Sequence, residues 1–173
     1  MPNKKSVQLI LHDLRPDAAA DILPPSSARR LLFAASPPVH RCVGCFGCWT
    51  KTPGKCVIGD RGADFVALLS RCGELVVLSR MVFGGLSPDI KAVMDRSIGF
   101  ILPFFRHAGG ETHHAHRFEN PPDLRYVFYG EEIADAEKET AKKLAAANSL
   151  NLGSGRSAVE FYQTVRDCAE AFA

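Results

Sequence analysis

Apolar residues along this chain come in short blocks, separated by polar or turn-forming residues. Val7-Gln8-Leu9-Ile10-Leu11 ends at His12-Asp13, and Leu75-Val76-Val77-Leu78 is enclosed by Glu74 and Ser79. Blocks of this length with polar boundaries predict buried strands. Arg30 to Ala35, Leu124 to Tyr129 and Ala158 to Tyr162 repeat the pattern. Between the blocks the apolar spacing becomes helical. Asp17 to Leu23 stops at Pro24-Pro25, and Phe65, Leu68, Leu69 and Cys72 predict a helix over 63–72. Ser87-Pro88-Asp89 is an N-cap, first-turn proline and first-turn acid, and Ile90, Val93, Met94, Ile98 and Ile101 follow as one stripe. Ile133, Ala136, Ala141, Leu144 and Ala145 mark a long helix, with Glu131, Glu132 and Asp135 first and Lys142 and Lys143 last. The tail from Thr164 to Phe172 is predicted helical. Residues 36–61 and 102–122 have no periodicity and are predicted as irregular loops.

Continuous apolar strands alternating with helices predict an α/β fold with three layers, a five-stranded parallel sheet covered on both faces. Five strands suggest the flavodoxin-like order, where ligands sit beyond the carboxyl ends of the strands. A chain of 173 residues is expected to form a single domain over 1–173. Both loops are expected at the ligand edge, crowding cysteines and histidines there.

Composition narrows the function classes. The formal charge is +2, and the basic residues fall in scattered pairs (Lys4-Lys5, Arg29-Arg30, Lys142-Lys143), which gives no footprint for nucleic acid. No apolar stretch reaches the ~18–20 residues of a membrane helix. The N-terminus shows no apolar signal core, so a cytoplasmic location is expected. Six cysteines are then free thiols or ligands rather than a disulfide framework.

Four of the cysteines follow one another as Cys42-x2-Cys45-x2-Cys48-x7-Cys56, with Gly44, Gly47 and Gly54 between them. Four thiolates in a glycine-rich turn suit a 4Fe–4S cluster. Zinc, a redox disulfide and a metal-free loop packed under Phe46 and Trp49 are the other readings. Cys72 and Cys168 lie on apolar helical stripes and read as packing residues. The segment Glu111-Thr112-His113-His114-Ala115-His116-Arg117 could ligate a metal, donate a proton, or form a polar loop at the edge or at a subunit contact. His114 and Arg117 are its first candidates.

Cys42-Val-Gly-Cys45-Phe-Gly-Cys48-Trp49, followed by Pro53-Gly54-Lys55-Cys56 and Asp60, resembles the cysteine motif of iron–sulfur flavoproteins in the NAD(P)H-dependent FMN reductase superfamily. Leu78-Ser79-x3-Phe83-Gly84-Gly85-x-Ser87-Pro88-x2-Lys91-x3-Asp95-Arg96-Ser97 resembles the flavin-binding loop and following helix of the same superfamily. The resemblance spans about residues 42–97. It implies a flavodoxin-like fold, FMN at the sheet edge, NAD(P)H as co-substrate, a small-molecule or protein redox partner, and a homo-oligomer. It also implies that Ser79, Arg80, Phe83, Gly84, Gly85 and Leu86 line the flavin, and that Cys42, Cys45, Cys48 and Cys56 ligate a cluster. The chain departs from the pattern at two places. A Gly-Ser-Pro-Arg type phosphate turn is replaced by His12-Asp13-Leu14-Arg15-Pro16, and Pro-Val-Tyr by Arg80-Met81-Val82. The expected function is an FMN-dependent NAD(P)H oxidoreductase or electron-transfer flavoprotein. The alternative is a relative without FMN that binds a metal or protein partner through its Cys and His loops.

Overall fold

A computed structural model describes residues 6–172; Lys4 and Lys5 lie outside them. Five parallel strands form the central sheet: β1 (Gln8–His12), β2 (Arg30–Ala34), β3 (Glu74–Arg80), β6 (Asp123–Tyr129) and β7 (Ser157–Tyr162), in the order β2-β1-β3-β6-β7. This is the flavodoxin-like order. β1 pairs with both β2 and β3, so that Leu9 sits opposite Leu31 on one side and Leu75 on the other.

The strand period of two sorts the apolar runs to two faces. Leu9, Leu11, Leu75, Val77, Tyr126 and Phe128 belong to the larger core cluster. They pack with α3 (Phe65–Leu69), α4 (Pro88–Arg96) and α5 (Asp135–Leu152). Ile10, Val76, Leu78 and Val127 face the other way, toward α1 (Pro16–Ile22) and the 3-10 turn Asp167–Phe172. Leu75 to Ser79 are fully buried, which is why β3 shows no alternation in its sequence. Cys72 and Cys168 are fully buried, and burial pushes the Cys168 thiol up to about 12. Among the described residues no helix is long and apolar enough to cross a membrane.

Several local expectations are corrected. Residues 102–122 are not an irregular loop. β4 (Ile101–Ala108) and β5 (Glu111–His116) form an antiparallel hairpin with a register shift between Ile101 and Phe105. Apart from the buried Ile101, neither strand contributes to the core, so neither carries a burial pattern. The usable signal was Gly109-Gly110, whose φ values of 60° and 80° form the turn. Ile98 and Ile101 do not continue the α4 stripe: Ile98 lies in the 3-10 turn Ser97–Phe100, and Ile101 opens β4. The 63–72 helix is shorter, a 3-10 turn at Arg61–Asp64 leading into α3. The helical tail is the 3-10 turn Asp167–Phe172. The loop 36–61 contains one helical turn, α2 (Gly47–Thr50). α5 runs on to Leu152, so Lys142 and Lys143 are mid-helix, and Gly153 (φ 74°) ends it.

Candidate functional site

Adjacent parallel strands whose connections leave toward opposite faces open a crevice at their carboxyl ends. Here those strands are β1 and β3, and Asp13 occupies the gap between them. Its backbone N–H donates to Leu78 O at 3.3 Å. Its carboxylate accepts the Arg80 N–H at 2.9 Å and the Tyr129 hydroxyl at 2.9 Å. Burial, then the charge of Asp13 and this hydrogen bond, hold the Tyr129 phenol far above its ordinary value.

The helix that follows is a poor anion site. α1 has seven residues, opens on Pro16, and has Asp17 in its first turn. Arg15 is exposed and lies 3.6 Å from Asp17. A flavin phosphate needs free N–H groups, a positive helix end and small residues for close approach. The residues after β1 do not fit that group. His12, at the end of β1, is buried with Nδ1 unpartnered among the described residues. Burial lowers its pKa and favours the neutral ring.

The exit of β3 is built differently. Ser79 is buried, and its hydroxyl accepts the Ser87 N–H at 2.8 Å while donating to Arg80 O at 2.9 Å. Its hydroxyl therefore braces the loop. Ser87 is at the N-cap as expected, but its own Oγ is buried without a capping bond. Val82 and Gly85 exchange two backbone bonds of 3.1 and 2.9 Å around Phe83 (φ 49°) and Gly84 (φ 75°). Two positive φ values in a two-residue loop are the type I′ signature. A Cβ on Gly84 would lie 2.8 Å from Thr140 Cβ of α5, so the turn is seated against that helix. Phe83 is left 93% exposed.

The predicted ring-lining residues divide between two openings. Arg80 lines a cleft of ≈490 Å³ at the sheet edge with Met81, Tyr129, Gly130, Glu131 and Gln163. Gly85 and Leu86 line a groove of ≈550 Å³ beside α4, with Met94, His114, Leu144 and Asn148. Phe83 stands on the turn between these two sets.

The cysteine loop does not share this place. Arg96, at the last residue of α4, is fully buried and donates to Asp60, to Ile58 O at 2.9 Å and to His40 O at 3.3 Å. Asp60 also accepts the His40 N–H at 2.8 Å and the Gly62 N–H at 2.9 Å. Burial works against the Asp60 charge, but the His40 N–H and then the Arg96 guanidinium outweigh it and hold the carboxyl below its ordinary value. The neighbouring Asp95 makes no ion pair with Arg96. Asp95 instead pairs with Lys91 at 2.6 Å. The cysteine loop thus closes on the carboxyl end of α4, and the Ser79–Ser87 brace is at its amino end. Nine helical residues separate the two by about 13 Å.

Cys42, Cys45, Cys48 and Cys56 line one cavity with Val57, of ≈30 Å³, room for about a water molecule or two. Cys42 and Cys45 are exposed and Cys48 is buried. Burial, and then the proximity of Cys56, push the Cys48 thiol up, toward the protonated form. Among the described residues no group of three or more His, Cys, Asp or Glu is gathered as a metal site. The four thiols share that cavity without being gathered as a ligand set.

The histidines of β5 also diverge. His113 contacts Asn151 Oδ1 at 2.8 Å and Glu111 Oε2 at 3.0 Å. His114 lies 5.0 Å from both the Trp49 and Phe105 rings, with Nδ1 unpartnered among the described residues. His116 packs on Gly153, and burial, then Arg106, lowers its pKa. Arg117 donates to Gly99 O at 2.8 Å, tying the hairpin to the α4 end. Phe100 joins the core, but Phe104 and Phe105 are exposed. The role of Tyr129 was missed by sequence reasoning, because a tyrosine ending a strand has no local mark of its partner 116 positions away.

No family model matches the chain, and no curated protein matches it. Solved structures do. An FMN-dependent NADH-azoreductase from Bacillus anthracis str. Ames Ancestor, in complex with FMN, is 12% identical with a TM-score of 0.58, over 96% of this chain and 94% of that one. Azoreductase AzrA is 10% identical with a TM-score of 0.56, over 96% and 92%. At these identities the likeness is one of fold, and it agrees with the strand order described above.

Proposed function

We propose that this chain is an NAD(P)H-dependent flavin oxidoreductase, or an electron-transfer flavoprotein of the same type, with the ring of FMN or a related flavin against the β3 exit. The observation that carries this reading is the turn at Phe83-Gly84. It is held at positive φ, seated on α5, and leaves Phe83 93% exposed at the β3 exit. A rigidly presented aromatic face suits stacking on a planar ring. The fold shared with an azoreductase solved with FMN supports the same reading.

A bound flavin supplies hydride and electron exchange. The chain's own part is seating. Ser79 braces the loop through Ser87, Arg80 brings a positive charge to the cleft, and the Tyr129–Asp13 pair holds a proton at the edge. A nicotinamide and a small-molecule or protein redox acceptor are the proposed partners. Absorbance of the freshly purified protein, repeated after adding flavin, tests this. Flavin bands that shift on binding, with NAD(P)H consumption, are the expected result. A colourless protein that refuses every added flavin overturns the reading and favours a binding module.

A further inference from the structure

We infer that the edge site discriminates against a phosphorylated flavin and takes one with a neutral hydroxylated side chain, of the riboflavin class, in preference to FMN. This rests on the flavin reading above and specifies which flavin.

In a parallel sheet of this order an anionic tail enters at the β1/β3 crevice. It is held there by N–H donors of the first turn and the positive end of the following helix. In this chain an anion is already present. Asp13 spans the crevice, and its carboxylate binds the Arg80 N–H and the Tyr129 hydroxyl, each at 2.9 Å. A phosphate dianion entering between β1 and β3 would meet a like charge, with both of these donors taken. The next helix offers no remedy. Pro16 has no N–H, Asp17 adds a second negative charge, and Arg15 pairs with Asp17 at 3.6 Å. In the adjacent cleft Arg80 and Glu131 bring opposite charges, beside Gln163 and Thr164. Hydroxyl groups donate to carboxylates, whereas a phosphate dianion offers only acceptors. These walls therefore match a polyol and mismatch its phosphate ester.

The test is titration of the purified full chain with riboflavin and, separately, with FMN, read by quenching of flavin fluorescence. Riboflavin is expected to bind at least about tenfold more tightly, with the gap narrowing as salt screens the repulsion. Asp13→Asn keeps the shape of the side chain and removes its charge. It is expected to tighten FMN binding by about tenfold and so to narrow the gap to riboflavin. FMN binding as tightly as riboflavin to the unmodified protein overturns the inference and leaves the flavin reading standing. Binding of neither flavin overturns both. A preference for riboflavin that survives both high salt and Asp13→Asn overturns the assignment to charge at Asp13. Because the ratio in the unmodified protein decides first, a poorly folding Asp13 variant does not shield the proposal.

Discussion

The two ends of α4 are built on opposite plans. At the amino end, hydroxyl and backbone bonds hold a tight turn whose Phe83 stands in solvent, between a cleft and a groove. At the carboxyl end, a fully buried guanidinium reaches a carboxylate and two carbonyls of a loop that brings in four cysteines. The conspicuous residues are at the carboxyl end, around the buried guanidinium. The open end is made from Ser, Gly, Phe and backbone, which composition does not mark. Residue types known for chemistry do not locate a site by themselves; openness and unengaged groups do.

The strongest way to break this contrast is at the carboxyl end. Asp60→Ala leaves the Arg96 charge buried without its partner, and should cost about 3–5 kcal/mol in denaturant unfolding. A loss under about 1 kcal/mol would show that the loop is not braced there. At the open end, Gly84→Ala must accept φ 75° and a contact with Thr140. That should cost about 2 kcal/mol and should weaken flavin binding along with it. An unaffected flavin affinity would separate the turn from the ligand.

Acid sharpens the comparison next. The Asp60 carboxyl is held below its ordinary 3.8 in the folded state. Its contribution is therefore complete above that value and is lost as pH falls through the folded one. Stability measured downward from pH 5 should fall for the unmodified protein, and more shallowly for Asp60→Ala. The smallest effect concerns the thiols. Cys42→Ser and Cys45→Ser should each change stability by no more than about 0.5 kcal/mol. A maleimide should label these exposed positions before Cys48, Cys72 and Cys168, as peptide mass mapping would record.

The sheet was legible because each strand is a local apolar block, and Leu75 to Leu78 needed no distant information. The hairpin was not. β4 carries Pro103 and the exposed Phe104 and Phe105, and its pairing is a backbone matter that side-chain patterning does not report. At the candidate site, the replaced phosphate turn was visible as an acid where small residues belong. That Asp13 would strap β1 to β3 and take the Tyr129 hydroxyl was not, since both partners are distant in sequence. The cysteine spacing places four thiols in one loop. What it could not reveal is that Asp60 and Arg96 fasten that turn to the far end of a helix.

Trp49 is the only tryptophan in the chain. It stacks on Phe46 at 5.0 Å, lies 5.0 Å from the His114 ring, and donates its indole N–H to Ile98 O and Ile101 O. Intrinsic emission from this protein is thus a single-site optical probe of the seam between the cysteine loop and the β4–β5 hairpin. Its colour and intensity should respond when that seam is loosened by modifying the loop. A bound flavin at the strand ends should change it chiefly by energy transfer to its own absorption bands.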